Sequence, residues 1–155
     1  MSDSAPRPQR AARSAARLAA VQALYQMDVG GTDAETVVEE FVQHRFGAEL
    51  EDAPFPEAEE ELFAAIVRGV VADQTQIDRT IARCLAEGWT LERIDSILRA
   101  ILRAGAFELM HKSDVPARVA ISEYLDLTHA FFAGPEPSFV NGVLDKLAHR
   151  LRDTV

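Results

Sequence analysis

Four arginines within the first 17 residues are the side chains best suited to a binding role. They stand at positions 7, 10, 13 and 17 of the chain. A guanidinium keeps its charge and donates paired hydrogen bonds, a geometry that matches phosphate. In a helix, Arg10, Arg13 and Arg17 fall within about 60° of one another. This spacing predicts one cationic surface. Solvated arginines, or arginines paired with acidic residues elsewhere in the chain, are the alternative interpretation.

Two aromatic residues extend this interpretation. Tyr25 lies on the same side of the predicted first helix, and Phe139 lies near the start of the last helix. An aromatic ring beside a cationic surface can stack an unpaired base, which favours single-stranded over double-stranded nucleic acid.

The residues that enzymes need are not arranged for catalysis. The sequence contains no H-E-x-x-H, G-x-S-x-G, P-loop or G-x-G-x-x-G motif. Cys84 is the single cysteine, which excludes an internal disulfide, and its apolar helical surroundings favour a core position. We therefore expect no catalytic residue, no cofactor and no metal site. The four histidines are far apart along the chain: His44, His111, His129 and His149.

Charge divides the chain into distinct segments. The 155 residues carry a net charge of −9, which by itself argues against a nucleic-acid-binding protein. Residues 1–17 nevertheless have a net charge of +3, and residues 28–61 have a net charge of −11. We predict a flexible basic arm over residues 1–9 and a single domain over residues 10–155.

With no apolar run near 18 residues and no convincing cleavage signal, a cytoplasmic protein without a membrane span is expected.

The hydrophobic pattern is helical throughout and predicts an all-α fold. The fifth predicted helix has the clearest apolar stripe. Its 21 or so residues would form a rod of roughly 30 Å, long enough to organise the domain. Seven helices are predicted, at approximately Gln9–Asp28, Asp33–Phe46, Glu57–Val71, Asp73–Glu87, Leu91–His111 behind Thr90 as N-cap, Pro116–Phe132, and 139–151 behind Ser138 as N-cap.

The first predicted helix changes character along its length. Its second half is uncharged and has small alanines on one side, which indicates close packing. Its first half contains Arg10, Arg13 and Arg17, whose charges would be costly to bury without partners. We therefore expect the arginine end to project from the domain and to be exposed.

Four segments in the same order resemble the NusB family of bacterial transcription antitermination factors. FVNGVLDKL at Phe139–Leu147 is similar to the C-terminal signature of the family, and AVQALYQ at Ala20–Gln26 is similar to its first helix. LRAILRAGAFEL at Leu98–Leu109 resembles the fifth helix, and SDVPARVAISEYLDL at Ser113–Leu127 resembles the following loop and sixth helix. The resemblance extends from Arg10 to about Leu151.

The resemblance implies two small helical bundles around a long central helix, and a binding role without catalysis. The implied ligand is boxA-type single-stranded RNA in nascent ribosomal transcripts. The implied partners are NusE, a small-subunit ribosomal protein, and the RNA polymerase elongation complex with other Nus factors. On the matching positions, RNA contacts are expected at Arg10, Arg13, Arg17, Tyr25 and Phe139. A NusE-type surface on the fourth to sixth helices suggests Glu92 and Arg99.

Two other functions remain open at this point. A helical protein-interaction adaptor would use the partner surface and leave the arginines solvated. Some ribosomal-RNA cytosine methyltransferases carry a domain of this fold, but they need a further α/β domain with a cofactor loop and a catalytic cysteine. The sequence has neither feature. Monomer and homodimer are both compatible with the sequence.

Overall fold

The computed structural model describes residues 7–43 and 57–152, with side chains for residues 10–43 and 59–152. Within these ranges the chain is all-helical, which confirms the predicted fold class. None of the described helices combines the length and the hydrophobicity that a membrane span requires. The described residues form seven α-helices: α1 Arg7–Gly30, α2 Ala34–Phe41, α3 Glu57–Ala72, α4 Gln74–Ala82, α5 Ser96–His111, α6 Ala117–Phe131 and α7 Glu136–Leu151.

Helix α1 is the longest described helix, with 24 residues. Four of its alanines, Ala16, Ala19, Ala20 and Ala23, are buried, which lets the helix pack closely against α3 and α5. It ends where Gly31 adopts φ +75° and donates its N–H to the Met27 carbonyl, the left-handed cap that glycine provides at little cost. The helix begins at Arg7, so the last three residues of the predicted arm are helical, while residues 1–6 lie outside the described residues.

Helix α5 is buried on most sides and is shared by two groups of helices. One group is α1, α2 and α3, and the other is α4, α6 and α7. Leu102, Gly105 and Leu109 on one side of the helix are buried, and Ala100, Ala104 and Ala106 on its other sides are buried as well. The central helix is therefore surrounded by neighbours rather than packed on one face.

The predicted start of this central helix was wrong. Leu91–Arg93 forms a separate 3-10 turn, and α5 begins only at Ser96, so that it has 16 residues rather than about 21. Asp95 is the N-cap, because its carboxylate accepts hydrogen bonds from the Ile97 and Leu98 amides. The Arg99 guanidinium also donates to the carbonyls of the preceding turn, which stabilises the break.

Other helix boundaries also differ from the prediction. Helix α4 ends at Ala82 and is followed by turns as far as Gly88, which adopts φ +91°. Helix α7 begins at Glu136 behind Pro135, two residues before the predicted cap at Ser138, because Pro137 fits the first helical turn. Helix α2 begins at Ala34, one residue after its predicted start, because Asp33 is its N-cap and accepts a hydrogen bond from the Thr36 amide. The predicted continuation of α2 to Phe46 lies outside the described residues.

Arg152, which follows α7, connects the end of that helix to the end of α5 and to the loop before α6. The Arg152 guanidinium donates hydrogen bonds to the carbonyls of Leu109, Lys112 and Val115, at 2.6–3.3 Å. It thus satisfies carbonyls at the C-terminal end of α5 that have no partner within the helix. The same contacts hold the loop that leads into α6.

Gly69 allows α3 to approach α5 closely, and we expect alanine there to be destabilising. A Cβ atom at this position would lie 2.1 Å from Cε1 of Phe107. Gly69→Ala should therefore cost about 1–3 kcal/mol of unfolding free energy in urea titrations, despite the better helix propensity of alanine. Gly142→Ala in α7 is the matched control, because its Cβ would meet nothing within 4 Å, and it should stabilise by up to about 1 kcal/mol. Equal effects of the two changes would contradict the close approach.

Glu59 makes the stability of α3 depend on pH. Both of its carboxylate oxygens are buried without a hydrogen-bond partner among the described residues. This burial raises the pKa of Glu59 from 4.5 to about 7, and the nearby charge of Glu60 contributes in the same direction. Between these two pH values the folded chain holds a proton that the unfolded chain has lost, so this group destabilises the fold as pH rises. Glu59→Gln should thus gain about 1–3 kcal/mol at pH 8 and little at pH 4. Glu61→Gln, at an exposed position, should show no such difference.

Candidate nucleic-acid interface

A groove lies between the N-terminal half of α1 and the N-terminal half of α6. Its cavity volume is about 360 Å³. The three predicted arginines line it together, which confirms that the helical spacing places them on one surface. The lining residues are Arg10, Arg13 and Arg17 of α1, Val115 before α6, and Arg118, Val119, Ser122 and Glu123 of α6.

Arg17 is buried, which corrects the expectation that the whole arginine end is exposed. Only 3% of the residue is accessible. Its Nε and Nη2 atoms donate to the two carboxylate oxygens of Glu108, at 2.7 and 3.0 Å. The charge is buried because a partner 91 residues away in α5 compensates it. Its guanidinium therefore faces the core as well as the base of the groove.

The same ion pair is extended by three further side chains. Arg17 Nη1 donates to Glu123 at 3.2 Å, and Ser14 donates to the same Glu123 oxygen at 2.6 Å. The Tyr124 hydroxyl donates to Glu108. Burial, and next the nearby Glu108 charge, raise the pKa of Tyr124 well above its usual value, so the phenol stays protonated. Burial alone would lower the pKa of Arg17, but the hydrogen bonds and charge of Glu108 outweigh it and the pKa is raised.

The groove also contains a cation that the sequence analysis missed. Arg118 is exposed in the first turn of α6 and lines the groove opposite Arg10 and Arg13. Its position after Pro116 was visible in the sequence as a basic residue at a helix start. Nothing in the local pattern, however, showed that this helix start meets α1, roughly 100 residues earlier.

The two aromatic candidates lie away from this groove. Tyr25 is 38% exposed on α1 and is not among the lining residues. Phe139 is partly buried in a second groove of about 320 Å³, together with Trp89, Leu98 and Pro135. Trp89 is 53% exposed, and sequence reasoning missed it. The sequence could have indicated this residue, because the only tryptophan of the chain lies in a Gly-Trp-Thr segment between two predicted helices.

Glu92 and Arg99, the two candidates for partner binding, line a third groove together. Trp89 lies in both the second and the third groove, so the two surfaces adjoin. The Arg99 side chain is largely covered, because it pairs with Asp28 of α1 at 2.7 Å and donates to the turn before α5. Arg99 thus joins α1 to α5, whereas Glu92 is exposed. A partner contact at these two residues stays a prediction.

The described residues contain no group of three histidine, cysteine, aspartate or glutamate side chains placed to hold a metal ion. His111 pairs with Asp73 at 2.9 Å on the surface. Cys84 is buried, and burial raises the pKa of its thiol, which lowers its reactivity as a nucleophile.

The two environments of the arginines predict different mutational effects. Arg17→Ala leaves the Glu108 carboxylate buried without its cation and should cost about 3–5 kcal/mol of unfolding free energy. Arg13→Ala removes a groove residue outside the buried ion pair and should change stability by less than about 0.5 kcal/mol. Urea unfolding followed by circular dichroism measures both. Similar costs for the two variants would show that the buried pair contributes nothing specific.

Comparison with known proteins agrees with this architecture. The NusB family model matches residues 14–149. The transcription antitermination protein NusB of Caulobacter vibrioides is 53% identical over 141 residues, covering 91% of this chain and 95% of that protein. The T. maritima NusB structure superposes with a TM-score of 0.75 at 30% identity, covering 88% of this chain and 90% of that one. A crystal structure of antitermination factors NusB and NusE in complex with dsRNA gives a TM-score of 0.75 at 26% identity, covering 90% and 97%. The chain belongs to the NusB family.

Proposed function

We propose that this protein is a transcription antitermination factor that binds boxA-type single-stranded RNA in nascent ribosomal transcripts. It does so together with NusE, within the RNA polymerase elongation complex and with other Nus factors. The similar proteins support this role by name, and one similar solved structure holds NusB with NusE and dsRNA. The role requires binding surfaces and no catalysis, and it is carried out in the cytoplasm, where transcripts are made.

The observation that carries the proposal is the arginine groove between α1 and α6. Arg10 and Arg13 line it from α1, and Arg10 is exposed. Arg17 lies at its base with its charge compensated by Glu108. Phosphate binding in this groove thus depends on the first two arginines, while Arg17 holds α1 in place.

The charge of the protein explains why a second protein is needed. A net charge of −9 repels a polyanion at long range, and the arginines at the N-terminal end of α1 offer a small cluster of cations against it. NusE bound at the Glu92 and Arg99 surface would add contacts to the RNA from outside this chain. Tyr25 and Phe139 remain the proposed positions for base stacking.

A specific observation favours a second function, a protein adaptor that does not touch RNA. The groove around Trp89 and Phe139 is largely apolar and partly exposed. Apolar surface of this kind is typical of protein interaction sites. The adaptor function predicts that the arginine groove is dispensable.

We expect NusE to strengthen RNA binding by this protein. By thermodynamic linkage, RNA must then strengthen NusE binding by the same factor. Calorimetric titrations with a boxA-type RNA oligonucleotide, carried out in both orders of addition, measure the two factors independently. A duplex of the same sequence serves as the control for single-strand preference.

The two functions give opposite results in these titrations. RNA affinity that is the same with and without NusE would contradict the cooperative model. NusE binding with no measurable RNA binding, by the protein alone or by the pair, would establish the adaptor function instead.

A further inference from the structure

We propose that Arg118 is an RNA-binding residue, and that the single strand lies in the groove with phosphates contacted from both α1 and α6. This inference rests on the proposed function and adds a second wall to the binding site. Arg118 lies more than 100 residues after the α1 arginines in the sequence.

The shape of the groove is the first argument. Arg10 and Arg13 form one side, while Arg118 and Ser122 form the other, and both sides line one cavity of about 360 Å³. A single strand that lies along such a groove passes between the two helices, so that arginines of both helices can reach phosphates of its backbone. A strand bound to α1 alone would leave the α6 side unused.

The availability of the Arg118 guanidinium is the second argument. Several other arginines of the described chain are engaged: Arg68, Arg99 and Arg103 pair with carboxylates, and Arg152 binds backbone carbonyls. Arg118 is exposed and makes no hydrogen bond or ion pair within the described ranges. Its positive charge faces the groove and is not used to hold other parts of the protein, so its five N–H donors can bind a ligand.

The start of α6 adds a favourable field at the same place. Arg118 is the second residue of this 15-residue helix, and its N-cap, Pro116, provides no side-chain hydrogen bond to the first turn. The positive end of the helix dipole therefore has no side-chain cap next to the groove. The electrostatic field of the helix start stabilises an anion that is bound by Arg118.

The one carboxylate in the groove does not cancel these cations. Glu123 lines the base of the groove, but one of its oxygens accepts hydrogen bonds from Arg17 and Ser14. Arg17 and the two carboxylates Glu108 and Glu123 together carry one negative charge. Arg13 and Arg118 alone add two positive charges, so the groove keeps a positive excess.

The experiment measures RNA affinity of the protein with NusE as a function of salt. Arg118→Ala should weaken binding of a boxA-type single strand about tenfold and make the slope of log K against log salt shallower by about 0.7. Arg13→Ala should do the same. The double variant should be shallower by about 1.4, because the two residues contact different phosphates. Arg118→Lys keeps the charge and should restore the slope.

Arg83→Ala is the matched control, because Arg83 is an exposed arginine at the end of α4 and lines none of the three grooves. It should leave both affinity and slope within error of the unmodified protein. The thermal midpoints of Arg118→Ala and Arg83→Ala should equal that of the unmodified protein, which separates lost RNA contact from lost structure.

Two results would overturn the proposal, and they are distinguishable. If Arg13→Ala weakens binding while Arg118→Ala behaves like Arg83→Ala, RNA binds to α1 alone and the proposed function stands. If the unmodified protein with NusE binds no single-stranded RNA, both the second wall and the proposed function are wrong.

Discussion

The buried ion pair between Arg17 and Glu108 is the constraint on which the rest of the structure depends. It joins α1 to α5 at the point where Tyr124 and Glu123 of α6 also meet them. Apolar packing alone could tolerate small rotations of α1, but a bidentate charge pair in the core requires one orientation. Because Arg17 is fixed, Arg13 and Arg10, about one and two turns earlier on the same face, are directed into the groove with α6.

This arrangement gives identical side chains different tasks. Arg17 stabilises the position of a helix, and Arg13 lies at the surface that this helix forms. Arg99 and Arg152 tie separate segments together through backbone carbonyls, whereas Arg118 makes no hydrogen bond or ion pair within the described ranges. A guanidinium links parts of the structure where several carboxylates or carbonyls of the chain surround it. Its charge is available to a ligand only where such acceptors are missing. Counting basic residues along the sequence therefore overestimates the charge that a polyanion meets.

The parts of the fold that could be predicted depend on local chemistry. The start of α2 near Asp33, the end of α1 at Gly31 and the start of α6 after Pro116 each follow from the residues within one turn. The start of α5 could not be predicted, because its position is set partly by Arg99, which pairs with Asp28 on α1. The burial of Arg17 and the place of Arg118 depend likewise on contacts across about 100 residues. Local periodicity identifies a face of a helix but does not show which neighbour covers it.

The contacts of Arg152 have a consequence for the order in which the molecule can fold during synthesis. The carbonyls that this residue satisfies at the end of α5 and in the next loop lie 37–44 residues earlier in the chain. While the ribosome is still translating α6 and α7, that end of the central helix has no such cap and is exposed to fraying. The N-terminal helices can associate earlier, whereas the loop that leads into α6 becomes fixed only when Arg152 has emerged. The α6 side of the groove is therefore completed only near the end of synthesis of the described chain.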